Sequence, residues 1–144
     1  MKVLVQRVKE AKVEVDKKVI GKIDKGYMLL VSFTQSDTKE IIDKMVRKVL
    51  NLRIMDDENG VMNLAIDPSK DKILSISQFT LYADTSKGNR PSYLKALRGE
   101  ESSLLYDYFN QELRKYIEVE TGKFGADMDV SLINNGPCTI MLEL

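Results

Sequence analysis

The chain has 144 residues, with 22 basic and 22 acidic side chains, so its formal net charge is zero. A neutral chain lacks the broad basic surface of a protein that coats nucleic acid, although a small local contact with phosphate remains compatible with it. The chain contains no histidine and one cysteine, Cys138, which excludes an intrachain disulfide and disfavours a zinc site built from protein ligands.

The length is typical of one domain with a hydrophobic core, so we expect residues 1–144 to form a single unit. An apolar fraction of 43% and a charged fraction of 31% are those of a globular protein. No apolar run approaches the length of about 18 residues that a membrane span needs, so we expect neither a membrane anchor nor a signal peptide. A single cysteine agrees with the reducing conditions of the cytoplasm.

The first third of the chain has the pattern of β-strands. Val3 and Val5 alternate with Leu4 and Gln6, and Val13 and Val15 alternate with charged residues. A short stretch over 19–23 follows a charged turn. A continuous apolar run then covers residues 27–33, which is a length typical of a buried strand.

A helix is predicted after these strands, because apolar residues recur at helical spacing over 41–50. Asp37 is its predicted N-cap, and Glu40 completes a capping box. The run Asp56–Gly60 is either a hairpin turn or a site for a hard cation among its carboxylates. The Asn-Gly pair between two strand-like stretches favours the turn.

The second half of the chain repeats this order of strands and helix. We predict a strand over 72–79, a polar loop over 84–91, a helix with an apolar stripe over 104–113, and closing strands over 128–132 and 138–144. The order lacks the regular strand–helix alternation of a parallel sheet. It therefore predicts an α+β domain with a largely antiparallel, barrel-like β-sheet and two main helices.

Polar side chains close the predicted strand over 72–79. Ser77, Gln78 and Thr80 are either polar residues on the solvent side of an edge strand or part of a site. No imidazole can take a proton from a hydroxyl here, so the role of Thr80 as a triad-type nucleophile is disfavoured. The tract can instead supply backbone N–H groups and a hydroxyl to a developing oxyanion.

Three other features each allow two interpretations. The segment from Asp84 to Arg98 carries four basic residues against one acidic residue, which suits a phosphate but also suits a solvated loop in which Pro91 opens the next helix. Gly136–Pro137 is either an ordinary turn or a corner shaped for a ligand. Phe124, flanked by glycines, either belongs to the core or stacks on a base.

Taken together, these tracts resemble the D-aminoacyl-tRNA deacylases over essentially the whole chain. The motifs that carry the resemblance are Gln6-Arg7-Val8, Ser77-Gln78-Phe79-Thr80-Leu81, Ala83-Asp84-Thr85 with Gly88 and Arg90-Pro91-Ser92, Thr121 to Met128, and Gly136-Pro137 with Thr139. This chain departs from the family pattern at Asn135, where aspartate is usual, and at Cys138, where valine is common.

The resemblance implies a cytoplasmic homodimer that hydrolyses the ester between a D-amino acid and the 3′-terminal adenosine of tRNA, and that also accepts glycyl-tRNA. It implies that Gly136 and Pro137, joined by a cis peptide, enter the partner's active site and meet the tract from Ser77 to Thr80. Arg7 is expected to brace this loop, and Phe124 and Met128 to lie near the adenine. No cofactor or metal is implied.

Because the chain has no histidine to act as a general base, we expect a mechanism in which the N–H groups of Phe79 and Thr80 stabilise the oxyanion. The substrate's ribose hydroxyl next to the ester would position or activate water. The alternative is Thr80 as a covalent nucleophile. Two other functions compete with deacylation. One is a non-catalytic nucleic-acid-binding module on the same fold, and the other is an editing domain that acts only with a synthetase.

Overall fold

The structure, a computed structural model, describes residues 1–144. In chain order its elements are β1 (Lys2–Val15), β2 (Lys18–Ile23), β3 (Gly26–Ser32), α1 (Lys39–Leu50), β4 (Met55–Asp56), β5 (Met62–Leu64), β6 (Lys72–Ser77), α2 (Gly99–Arg114), β7 (Val119–Thr121) and β8 (Asp129–Glu143). A 3-10 turn over Phe79–Tyr82 follows β6.

The long strand β1 organises the main sheet. Its first half pairs with β3 and its second half with β2, while its opposite edge pairs with β8. The strands β3, β6 and β7 run parallel to one another, and the other pairs are antiparallel. β2 also contacts β6 and β7, so the sheet curls into a barrel-like form. The predicted α+β class, with a largely antiparallel barrel-like sheet and two main helices, is confirmed.

The apolar run in β3 is continuous because both of its faces are buried. Tyr27, Leu29 and Val31 belong to the larger core between the sheet and the helices, whereas Met28 belongs to a smaller core inside the curl of the sheet. Alternation along a strand sends successive side chains to these two cores. Neither helix has the length and apolar content that a membrane crossing requires.

The predicted cap of α1 is wrong. Thr38 is the N-cap, and its hydroxyl accepts a hydrogen bond from the N–H of Ile41 at 3.4 Å. The side chain of Asp37 is instead buried, where its carboxylate accepts hydrogen bonds from the amino group of Met1 at 2.7 Å and from the N–H of Thr34 at 2.8 Å. The amino group of Met1, which is far from Asp37 in the sequence, therefore binds the carboxylate that was expected to cap α1. Thr38, the next residue, caps the helix instead.

The hairpin prediction at Asn59–Gly60 is confirmed. β4 and β5 pair antiparallel around this turn, and Gly60 has a φ of +75°. Asp57 closes the turn by accepting hydrogen bonds from backbone N–H groups at Asn59 and Val61.

Several elements differ from the prediction. The stretches over 3–6 and 12–16 belong to one strand, β1, and the strand predicted over 72–79 ends at Ser77. The two closing strands form one strand, β8, which is interrupted by a bulge. α2 begins at Gly99, so Pro91 lies in the preceding loop and does not open the helix. The three-residue strand β7 was missed, because it is too short to show a period.

Candidate active site

A cavity of 440 Å³ opens where β3 and β6 end and α2 begins. The lining residues that matter for its chemistry are Ser77, Gln78, Phe79, Arg98, Ser102, Phe124, Asp127 and Met128. Two tracts that lie about fifty positions apart in the sequence therefore share one cavity. Thr80 follows Phe79 but does not line the cavity itself.

The chain changes direction at Gln78, which shapes one wall of the cavity. The N–H of Gln78 donates to the carbonyl of Val31 at 2.7 Å, and the backbone then winds into the 3-10 turn. The first N–H groups of such a turn have no partner within it, which leaves the amides of Phe79 and Thr80 available. The Nε2 group of Gln78 donates to Oγ1 of Thr80 at 2.6 Å and so holds this hydroxyl in place.

Phe79 is held from two sides although its side chain is 42% exposed. Its ring meets the ring of Tyr93 edge to face, with 5.2 Å between the centroids. The guanidinium of Arg98 lies over the Phe79 ring, 4.6 Å from the centroid. Sequence reasoning did not select Arg98 as a site residue. The only signal for it was the local excess of basic residues between positions 84 and 98.

Phe124 and Met128 form another wall, and both are half-buried. The Phe124 ring packs against Tyr106, whose hydroxyl donates to the carbonyl of Ser75 at 2.7 Å. Burial raises the pKa of Tyr106, so its hydroxyl keeps its proton. The core interpretation of Phe124 is confirmed for the part of its ring that packs against Tyr106, and the residue also lines the cavity. Stacking of Phe124 on a base stays a prediction.

The Gly136–Pro137 corner lies elsewhere on the sheet. Gln6 pairs with Thr139 and Val8 pairs with Asn134, so one residue of β1 faces four residues of β8 and the corner bulges outward. Gly136 and Pro137 are exposed, the peptide bond between them is cis, and Gly136 has a φ of +122°.

Arg7 lies directly beneath this corner and is buried. Its Nε donates to the carbonyl of Asn135 at 2.9 Å, and its Nη1 donates to the carbonyl of Ile54 and to the Asp56 carboxylate, both at 2.7 Å. The group of Asn135 that Arg7 contacts is the main-chain carbonyl. The presence of asparagine instead of aspartate at this position therefore leaves the hydrogen bond intact.

The corner and the cavity of one chain are well separated. Arg7 faces Tyr27, whereas Ser77 faces Val31, which places the two sites about 13 Å apart along the strands. β8 itself contributes Val130 to the cavity, and Val130 pairs with Val13, which lies about 20 Å along β1 from Arg7. Arg7, Gly136 and Pro137 accordingly do not line the cavity.

The loop from Asp84 to Ser92 is closed by backbone hydrogen bonds between its two ends. Asp84 accepts hydrogen bonds from Ser86, which lower the pKa of its carboxyl group. The residues between these ends are exposed and lie outside the cavity. The basic character of this loop therefore belongs to the outer surface, apart from Arg98 further along the chain.

Comparison with known proteins identifies the family of this chain. The sequence pattern of the D-Tyr-tRNA(Tyr) deacylase family matches residues 4–143. A solved structure called c-Myc DNA Unwinding Element Binding Protein is 39% identical, with a TM-score of 0.94, and the match covers 100% of this chain and 99% of that one. A second, described as a probable eukaryotic D-amino acid tRNA deacylase, is 18% identical, with a TM-score of 0.83 over 99% of this chain and 98% of that one. At that identity the likeness shows the fold alone.

A family match over nearly the whole chain defines the class of protein, which is a hydrolase acting on aminoacyl-tRNA. The chain belongs to the D-Tyr-tRNA(Tyr) deacylase family. It is therefore a D-aminoacyl-tRNA deacylase, which hydrolyses the ester that joins a D-amino acid to tRNA.

Proposed function

We propose that this deacylase works as a cytoplasmic homodimer in which the Gly136–Pro137 corner of each protomer enters the cavity of the other. The observation that carries the proposal is the position of the corner. It is exposed, braced from below by Arg7, and about 13 to 20 Å along the strands from the residues of its own chain that line the cavity. A second copy can bring such a corner to the cavity without unfolding either site.

The outer edge of β8 supports a second copy. β8 runs for fifteen residues and pairs only with β1, so its other edge is free. Ile133 and Met141 are exposed apolar residues on the same strand. Proteins usually cover a long, partly apolar edge strand, because it otherwise invites uncontrolled pairing. A two-fold dimer would cover it and keep the assembly closed.

Chiral selection would follow from steric exclusion by the main chain. In this proposal the Gly136–Pro137 corner approaches the substrate α-carbon, so an L side chain meets rigid backbone whereas a D side chain points away from it. Rejection by a clash requires no pocket that recognises a particular side chain. The enzyme would therefore accept D-amino acids of many kinds. It would also accept glycyl-tRNA, since glycine has no side chain to exclude.

Catalysis would rely on the main chain of the tract from Ser77 to Thr80. Water adds to the ester carbonyl, and the amides of Phe79 and Thr80 stabilise the resulting oxyanion. The carbon–oxygen bond to the ribose then breaks, and the departing ribose oxygen takes up a proton. The neighbouring ribose hydroxyl would position or activate the water, and Phe124 and Met128 would hold the adenine. No cofactor takes part.

Gln78 favours an orienting role for Thr80 over covalent attack. Its Nε2 group donates to the Thr80 hydroxyl oxygen at 2.6 Å, which occupies one of the two lone pairs of that oxygen and fixes the orientation of the hydroxyl. Neither histidine nor lysine lines the cavity to accept the hydroxyl proton. Single-turnover deacylation by Thr80→Val and Thr80→Ala tests this role. Complete loss of activity in both, with a trapped acyl-enzyme in the wild type, would establish covalent catalysis instead.

The overall proposal is tested with D-Tyr-tRNA and L-Tyr-tRNA. We expect release of tyrosine from the D form only, and equal cleavage of both would contradict selection by the corner.

A second experiment tests whether each protomer supplies its Gly136–Pro137 corner to the cavity of the other. It mixes Gly136→Ala protomers with Phe124→Ala protomers. Mixed dimers then hold one intact site, so activity should recover to about a quarter of the wild-type value. No recovery on mixing, although mixed dimers form, would show that each chain uses its own corner.

The 39% identity to a protein called c-Myc DNA Unwinding Element Binding Protein raises a second candidate, a nucleic-acid-binding module without catalysis. The zero net charge disfavours it, because binding along a duplex depends on phosphate contacts from a basic surface. Binding of D-Tyr-tRNA without release of tyrosine would support this candidate.

A further inference from the structure

Arg98 is the only cationic side chain that lines the cavity. It is exposed to solvent, and it forms no ion pair with any carboxylate of the protein. Asp127 is the only acidic residue of the lining and lies on the turn that precedes β8. An unpaired guanidinium at the wall of a ligand cavity is suited to an anion from the ligand.

The guanidinium is held in place before any ligand arrives. It lies 4.6 Å from the centroid of Phe79 and 5.4 Å from the centroid of Tyr93, whose rings also pack against each other. Stacking on two rings restricts a side chain that would otherwise lose much rotamer entropy on binding. Arg98 is therefore fixed next to Phe79, whose amide we assign to the oxyanion.

The start of α2 adds donors at the same place. Arg98 is the N-cap of α2 without a side-chain cap, so the first N–H groups of the helix lack partners, and Gly99 lines the cavity beside them. Ser102 also lines the cavity, is 5% exposed, and its hydroxyl makes no hydrogen bond within the protein. The acidic residues of the first turn, Glu100 and Glu101, do not line this cavity. A helix start, a free hydroxyl and a guanidinium together form a site for an anion.

The substrate presents one anion close to its ester. In a terminal adenosine the ester oxygen and the 5′-phosphate are attached to the same ribose. With the ester at Phe79 and the adenine at Phe124, the phosphate leaves the cavity beside one of the remaining walls. We infer that Arg98, aided by Ser102, binds the phosphodiester that joins the terminal adenosine to the rest of the tRNA. This inference rests on the proposed function.

The test compares two small substrates that differ only in this phosphate. One is adenosine with a D-tyrosyl ester on its 3′ oxygen, and the other is the same ester of adenosine 5′-monophosphate. We expect Arg98→Met to lower kcat/KM for the phosphorylated substrate about tenfold or more, as for the loss of a charge-assisted hydrogen bond. The unphosphorylated substrate should lose clearly less kcat/KM than the phosphorylated one, and urea unfolding shows that the variant is folded. Arg98→Lys should recover part of the loss, because it keeps the charge.

Matched controls separate this role from others. Arg47→Met removes an exposed arginine of α1 that lies outside the cavity and should change neither substrate. With D-Tyr-tRNA, Arg98→Met should also reduce the slope of log kcat/KM against log salt concentration by about 0.7 to 1. Equal loss on both small substrates would overturn the inference, since Arg98 would then act by positioning Phe79. No loss on either would overturn it as well. If the wild type cleaves neither the D-esters nor D-Tyr-tRNA, the proposed function itself fails, which is a distinct result.

Discussion

Gly136→Ala is the most direct test of the Gly136–Pro137 corner, because the structure shows two separate reasons why this substitution should lower the free energy of unfolding. Gly136 has a φ of +122°, which L residues rarely adopt, so the backbone alone costs about 1–3 kcal/mol. A Cβ at this position would also lie 2.8 Å from Nη2 of Arg7. Arg7 cannot retreat freely, since Asn135, Ile54 and Asp56 hold it. Weakening one of these charge-assisted hydrogen bonds costs about 1.5–3 kcal/mol more.

We therefore expect Gly136→Ala to lower the free energy of unfolding by about 4 kcal/mol, a large part of a typical stability of about 5–15 kcal/mol. Gly88→Ala is the matched control. Gly88 has a similar φ of +110°, but a Cβ there would meet no atom within 4 Å. It should carry the backbone penalty alone and be about 2 kcal/mol less destabilising than Gly136→Ala.

Urea unfolding measures the free energy of unfolding of the Gly136→Ala and Gly88→Ala variants. Deacylation of D-Tyr-tRNA and L-Tyr-tRNA is then measured at urea concentrations too low to unfold either variant. Equal destabilisation by the two variants would refute the role of Arg7 as an anchored neighbour. In the folded fraction of Gly136→Ala we expect deacylation of D-Tyr-tRNA to be largely lost. Full activity with unchanged preference for the D form would refute the corner as the selecting element.

Three further predictions concern stability and the cavity. Asp37→Ala removes the carboxylate that pairs with the buried amino group of Met1, and should lower the free energy of unfolding by about 3 kcal/mol; a loss below about 1 kcal/mol in urea would contradict this. Burial raises the pKa of Tyr106, so the unfolded chain releases that proton near pH 10 before the folded chain does, and stability falls as pH rises above about 10. Tyr106→Phe should lose less stability over that window, and an identical slope would refute the assignment. A Cβ at Gly122 would lie 2.6 Å from Sδ of Met128, so Gly122→Ala should displace this flexible side chain and raise KM for D-Tyr-tRNA more than it lowers kcat; unchanged steady-state kinetics would contradict the position of Met128.

Local patterns predicted the parts of the fold that local forces decide. The Asn-Gly pair defined its hairpin because a tight turn needs a residue that accepts positive φ, which Gly60 does. The helical stripe over 41–50 identified α1 because it buries one face. The predicted N-cap of that helix was wrong, because the Asp37 carboxylate accepts a hydrogen bond from the amino group of Met1, which lies 36 positions away in the sequence.

The site followed the same division. The tract from Ser77 to Thr80 and the Gly136–Pro137 corner are visible as motifs in the sequence, and the chemistry we propose for them follows from their residue types. Arg98 had no motif of its own, because its importance comes from Phe79 and Tyr93, which reach it only through the fold.

The sequence by itself determined that the chain is a neutral α+β protein without imidazole, and that amide and hydroxyl side chains stand where a strand ends. Those properties depend on composition and on neighbours along the chain. Only the tertiary structure decided that Phe124 and Met128 share a cavity with Phe79, and that Gly136 lies far from the cavity of its own chain. These relations depend on which strands pair and in which register, and residues distant in sequence set that pairing.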